Sequence, residues 1–269
     1  MLTCGSLFTL SRRSPVSRSS VAVVKDRFSD QASQYATFRP RYPEVLYDFI
    51  YSHVKSFDLA WDAGTGNGQA AQVLARRFRN VLATDISARQ LEQAVRKDNI
   101  VYEVAGETTR LTDQSVDLVT VAQAIHWFDR PTFYQEVNRV AKPGGVVAVW
   151  VYGLLKVSPE IDPLLRDFYT RIVGPYWDLE RKLIDDELKS MEFPFEEIAT
   201  PSFRMRFEWT LGELEGYLNT WSATQKFIGE KKTNPVNDLV NRIRSINWAE
   251  VYPVEFPLTL RLGKVLGHR

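Results

Sequence analysis

Cysteine is nearly missing: the 269 residues hold one, Cys4. Disulfides, zinc–cysteine sites and a cysteine nucleophile are therefore excluded from the body of the chain. Histidine is almost as scarce. His53, His126 and His268 stand far apart and form no metal-ligand spacing such as H-E-x-x-H, so no metal is expected. Long apolar runs are missing too. The longest, 146–155, has ten residues and is interrupted by Gly153; a membrane-spanning helix needs about 20, so no membrane insertion is expected. No repeat of fixed period is visible.

Acidic residues are absent from the first 25 positions, which carry Arg12, Arg13, Arg18 and Lys25 among six serines. A basic, serine-rich, acid-free stretch has the composition of an organelle transit peptide. The expectation is either import to a mitochondrion or chloroplast, or a disordered tail on a cytoplasmic protein. The remaining residues hold 30 basic against 33 acidic side chains, a net of −3. That balance gives no electrostatic reason for a nucleic-acid or anionic-membrane partner. With 44% hydrophobic residues, 26–269 can bury the core of one globular domain.

What is present is an alternation. Leu59 to Ala63 reads as a strand, 67–78 as a helix and Val81 to Thr84 as a strand. Ser87 with Gln90 makes a capping box that opens a helix to about Lys97. Strands at Ile100–Val104 and Val116–Val121 follow, then a helix over 131–141 stopped by Pro143-Gly144-Gly145, then a strand at Val146–Val151. Short connections between alternating strands and helices argue for a parallel sheet with right-handed crossovers. The core is placed at 44–152. A helical cap follows at about 158–200, with helices near Asp162–Ile172 and Asp178–Met191. The C-terminal part, 201–269, has extended 203–209, helices at 211–221 and 237–246 and a last strand at 258–262. The fold class expected is α/β: a Rossmann-like, seven-stranded, mostly parallel sheet with helices on both faces.

Residues 58–68 carry the chemistry. A short strand ends in Asp62 and runs into Gly64, Gly66 and Gly68. Such a turn at a strand–helix junction grips an adenosine-containing cofactor. A dinucleotide fingerprint, G-x-G-x-x-G, started at Gly64 needs glycine at 69, which is Gln69. Started at Gly66 it reaches Ala71 and leaves Gly64 unexplained. Asp62 beside the bend repels a pyrophosphate and attracts an ammonium group. S-adenosylmethionine (SAM) has an α-ammonium and no phosphates.

Asp62-Ala-Gly-Thr-Gly-Asn-Gly68 resembles the first motif of class I SAM-dependent methyltransferases. Asp85, Val116–Val121 and Lys142-Pro-Gly-Gly145 agree with later parts of that family in order and spacing over residues 28–152. More narrowly, Tyr35, Arg39-Pro-Arg-Tyr-Pro43, Ala122-Gln-Ala-Ile-His-Trp-Phe128 and Tyr217–Gln225 are similar to the trans-aconitate methyltransferase and embryo-abundant-protein-like group of small-molecule enzymes. The resemblance implies cofactor contacts from Asp62, Gly64, Thr65, Gly66 and Gly68. It implies Asp85, with Ile86, at the ribose, either Glu107 or the backbone of Ala105 and Gly106 at the adenine, and Gln123, Tyr35 and Arg39 around the methionine part. Trp127, Tyr217 and Trp221 are the implied substrate contacts.

His126 is the candidate catalytic histidine, as base or as hydrogen-bond donor to a substrate carboxylate. The expected reaction is in-line methyl transfer to a small molecule, directed to a carboxylate or hydroxyl oxygen. An NAD(P)-dependent oxidoreductase and a SAM-binding protein without catalysis stay open as alternatives. The partner expected is a small-molecule acceptor, and the protein is read as a monomer or homodimer.

Overall fold

Strands form where apolar residues run together, and helices where they recur every three or four positions. The computed structural model describes residues 38–246 and 249–266. The expected transit segment, Cys4, Tyr35 and His268 lie outside the described residues. After Pro43 the chain forms α1 (Glu44–Tyr51), which buries Leu46, Tyr47 and Ile50. Then come β1 (Leu59–Ala63), α2 (Gln69–Leu74), β2 (Asn80–Asp85), α3 (Ala88–Glu92) and β3 (Ile100–Val104). β4 (Val116–Ala122), a 3-10 turn (Ile125–Trp127), α4 (Arg130–Val140) and β5 (Ala141–Tyr152) complete the core.

β1 pairs in parallel with β2 on one side and β4 on the other. β3 lies outside β2 and β5 outside β4, both parallel. The chain therefore winds outward from β1 in one direction, then crosses back to wind in the other. Ligands bind in such folds where the winding reverses, at the carboxyl ends of the strands; here that is above β1 and β4. The sheet is buried on both faces. Along β5, Val146, Ala148, Trp150 and Tyr152 enter one apolar cluster, while Val147, Val149 and Val151 enter the other. This is why the strand reads as a continuous apolar run.

The cap begins with α5 (Asp162–Asp167), which continues into a π-helical turn (Phe168–Ile172). Two 3-10 turns (Gly174–Tyr176 and Leu179–Arg181) lead to α6 (Lys182–Asp185). The single helix expected over 178–191 does not form. Glu187 and Leu188 both take left-handed backbone, φ 58° and 61°, which stops α6 and turns Leu188 wholly into the second core cluster. β6 (Glu196–Ile198), β7 (Phe203–Trp209), α7 (Leu211–Asn219), α8 (Ser222–Lys231), α9 (Val236–Ile246) and β8 (Tyr252–Lys264) follow. α8 escapes the sequence pattern because it fully buries only Ala223 and Thr224.

β8 runs antiparallel to β5. The sheet has eight strands where seven were expected. The extra strand arises because the margin beyond β8 is in two pieces: β6 pairs with 262–264 and β7 with 252–258. Pro201, in the gap, has no N–H to offer a ladder. The Thr200 hydroxyl bridges the interruption by donating to the Leu260 carbonyl at 2.9 Å.

Candidate active site

The glycine turn links β1 to α2 through three left-handed residues: Gly64 at φ 66°, Gly66 at 57° and Gly68 at 82°. Side chains other than glycine adopt that region at a cost. The surroundings differ. A Cβ on Gly64 would lie 2.6 Å from the Ala124 Cβ, and one on Gly68 would lie 2.4 Å from the Tyr102 hydroxyl. A Cβ on Gly66 would meet nothing closer than the Gln90 Oε1, at 3.9 Å. The turn is thus closely packed at both ends and open at its middle. That opening fits an adenosyl ligand laid over the backbone of Gly66.

Asp62 is wholly buried beneath this turn. Its Oδ1 accepts from the Thr120 hydroxyl at 2.6 Å and its Oδ2 from the Thr65 hydroxyl at 2.5 Å. Burial pushes its pKa up to about 6, against the lowering effect of the Thr120 and Thr65 bonds. Wholly buried, Asp62 shapes the turn from beneath rather than lining the surface that a ligand would meet.

Asp85, at the end of β2, joins the same turn. Its Oδ2 accepts from the Gly66 N–H at 2.8 Å and its Oδ1 from the Ser87 N–H at 2.9 Å. Next to it Ile86 is 52% exposed, and a Cβ on Gly106 would lie 3.9 Å from its Cγ2. Asp85, Ile86 and Gly106 make a shelf beside Gly66, polar at one end and apolar along the rest. The Glu107 Oε1 accepts from the Asp129 N–H at 3.0 Å at the start of α4, which leaves Oε2 to face the shelf or solvent.

Beyond β4 lies a cleft. Gln123 stands in left-handed backbone, φ 58°. Its side chain prolongs the β4–β5 pairing: Oε1 accepts from the Tyr152 N–H at 2.7 Å, and Nε2 donates to the Tyr152 carbonyl at 3.3 Å. Residues 38–43 are strapped over the glycine turn, where Gln69 Nε2 donates to the Pro40 carbonyl at 3.1 Å. The strap delivers Arg39, whose Nη1 donates to the Tyr152 hydroxyl at 2.5 Å and whose guanidinium lies 5.9 Å from the centre of the Tyr217 ring.

The cleft is lined by Arg39, Gln123, His126, Trp127, Trp177, Asp178, Arg181, Tyr217, Trp221 and Ser222, and encloses about 520 Å³ including its open mouth. His126 is 7% exposed, and its Nδ1 is buried with no hydrogen-bond partner among the described residues. Burial pushes its pKa down to about 3, helped by the nearby guanidiniums of Arg181 and Arg39.

Sequence reasoning placed Arg39, Gln123, His126, Trp127, Tyr217 and Trp221 at the site, and the fold brings all six to this one cleft. Asp85, Ile86 and Gly106 sit on the separate shelf. Asp178, Arg181 and Ser222 line the cleft without having been anticipated, and Trp177 stands beside them. No motif marks Arg181, which arrives by packing of the cap. Among the described residues no cluster of His, Cys, Asp and Glu could hold a metal, and no helix is long and apolar enough to cross a membrane.

A parallel sheet that reverses at β1 and β4, a glycine turn at the reversal, an acid closing β2 and a cleft beyond β4 define the class I SAM-dependent methyltransferases. Comparison with known proteins agrees. Residues 61–149 match the family described as "Methyltransferase domain". A Dictyostelium discoideum protein named as a methyltransferase is 35% identical over 249 residues, spanning 89% of this chain and 95% of its own. Methyltransferase cfoB of Aspergillus candidus is 32% identical over 206 residues, spanning 65% of this chain and 62% of its own. A solved structure of a type II methyltransferase from Anaeromyxobacter dehalogenans superposes with a TM-score of 0.79 at 35% identity, covering 86% of this chain and 100% of that one. The chain belongs to the methyltransferase family, and SAM is its methyl donor. Neither the oxidoreductase nor the non-catalytic alternative finds support among these relatives.

Proposed function

We propose that the chain methylates a carboxylate oxygen of a small organic acid, as a member of the trans-aconitate methyltransferase and embryo-abundant-protein-like group. The observation that carries this reading is the setting of His126. The imidazole is buried, and the guanidiniums of Arg181 and Arg39 oppose its protonation more than the Asp178 carboxylate favours it. A proton taken up there would add a third cation to the cleft. Asp178, the remaining ordinary proton acceptor on the lining, is committed to Lys226 Nζ at 2.7 Å. A phenol, alcohol or amine acceptor gains from a general base. A carboxylate reaches the cleft already ionised at neutral pH and needs none.

SAM, when bound, supplies a methyl group on a sulfonium centre. The chain's own residues hold and align it. The open rim at Gly66 receives the adenosyl group, Asp85 accepts from the ribose hydroxyls, and Ile86 with Gly106 flanks the adenine. Arg39 pairs with the donor's carboxylate, a charge-assisted contact. The Asp62 charge beneath the turn favours its ammonium. Trp127, Tyr217 and Trp221 exclude water from the acceptor side, and alignment of the reacting atoms then contributes most of the acceleration.

Two results check this reading. Asp85→Ala is expected to weaken SAM binding by about 1–3 kcal/mol, read by calorimetry; unchanged affinity would assign the ribose to another group. With an acid acceptor, kcat is expected to be flat between about pH 6 and 9, and His126→Asn to lose less than about tenfold, where loss of a general base costs about 10²–10⁴. An acidic limb near neutrality that vanishes in His126→Asn would make His126 the base and the acceptor a hydroxyl.

A further inference from the structure

Arg181 occupies an unusual position for an arginine. Its side chain is 17% exposed yet lines the cleft. It is carried there by the 3-10 turn Leu179–Arg181, and its guanidinium lies over the Trp177 ring at 4.7 Å. Its hydrogen bond to the Tyr169 hydroxyl, 3.0 Å, and its long ion pair with Asp185, 3.9 Å, both leave from Nε. Nη1 and Nη2 make no hydrogen bond among the described residues. The turn is itself fixed: Lys226 on α8 binds both Asp178, at 2.7 Å, and the Tyr176 carbonyl, at 3.2 Å. A guanidinium held by Nε, stacked on an indole and offering its Nη fork is pre-organised to receive a planar oxyanion in two parallel hydrogen bonds.

We propose that Arg181 is the receptor for the acceptor's carboxylate and sorts that acid from the neutral ester that methyl transfer produces. This rests on the carboxylate reading above. In the reaction one carboxylate oxygen forms a bond to the methyl carbon as the carbon–sulfur bond breaks. The bonding pair passes to sulfur, and no proton moves. The acid loses its negative charge in that step, and with it the partner of Arg181. The contact that holds the substrate is lost on turnover, which favours product release. Because the oxyanion charge is already fading in the transition state, Arg181 contributes to binding more than to the chemical step.

The test uses the full chain saturated with S-adenosylhomocysteine, titrated by calorimetry with trans-cinnamate and hexanoate and with their methyl esters. At least one acid is expected to bind tenfold or more tightly than its ester. Arg181→Gln is expected to abolish that gap while S-adenosylhomocysteine binds as before, and Arg181→Lys to keep part of it. In turnover, KM for the acid is expected to rise in Arg181→Gln with kcat within a few-fold. A gap that persists in Arg181→Gln overturns the role of Arg181 and leaves the carboxylate reading standing. Equal binding of acid and ester by the unaltered chain, or no binding of either acid, overturns both.

Discussion

Asp62→Ala is expected to destabilise the protein by about 2–4 kcal/mol and to abolish measurable SAM binding. The side chain is wholly buried, and its two oxygens take the hydroxyls of Thr65 and Thr120. Alanine leaves both donors buried without that acceptor and opens a cavity, two of the mechanisms behind large losses. The melting temperature is expected to fall by roughly 5–15 °C for a domain of this size.

Asp62→Asn separates charge from hydrogen bonding. An amide can still serve both threonines, so folding survives, while SAM affinity is expected to fall about tenfold. Asparagine binding as well as aspartate would show that the charge is irrelevant to the ligand. A pH dependence accompanies this. The unfolded carboxyl ionises near pH 4 and the folded one only near 6, so between these values the fold holds the extra proton. Stability due to this group is therefore greatest below about pH 4 and falls as pH rises to about 6. Affinity for the cationic ligand is expected to move the other way, strengthening as Asp62 ionises. Calorimetry between about pH 5 and 7 reads it, and the trend is expected to vanish in Asp62→Asn.

Gly64→Ala is expected to cost about 2–5 kcal/mol. The left-handed backbone, φ 66°, penalises any side chain by about 1 kcal/mol. The added methyl would also lie 2.6 Å from the Ala124 Cβ and 3.1 Å from the Phe128 ring, an overlap that costs about 1–3 kcal/mol or more in tight packing. Relief must move residues 124–128, and with them His126 and Trp127 at the cleft. Ala124→Gly in the same chain removes the worst contact and is expected to restore part of the stability. A thermal-melt double-mutant cycle checks this: strict additivity would mean the contact is not the cause.

The parts of the molecule that were legible in the sequence are those whose chemistry is local. The glycine turn, Asp62 and Asp85 are joined by short chain segments, and the core strands are continuous apolar runs because both faces of the sheet are buried. Asp62 was foreseen as a ligand neighbour, but its engagement by Thr120 depends on a strand 58 residues away and was invisible. The bond from the Asp129 N–H to Glu107, across 22 residues, was equally invisible. Arg181 was illegible because it reaches the cleft on a 3-10 turn where a continuous helix was expected. Periodicity over 178–191 favours one continuous helix, and tertiary burial of Leu188 overrides it. The long last strand, 252–264, was foreshortened in the reading because Pro253 and Pro257 lower the strand signal.

The interruption between β6 and β7 has a consequence for how copies of this chain meet. An unbroken outer strand would present one straight row of backbone donors and acceptors, a template on which another chain could zip. Here that margin is divided into pieces of three and seven residues. The longer piece points Arg204, Arg206 and Glu208 into solvent. Short lengths and charged side chains are the means by which edge strands resist intermolecular pairing. The break that adds an eighth strand thereby shields this side of the sheet from fibril-like association.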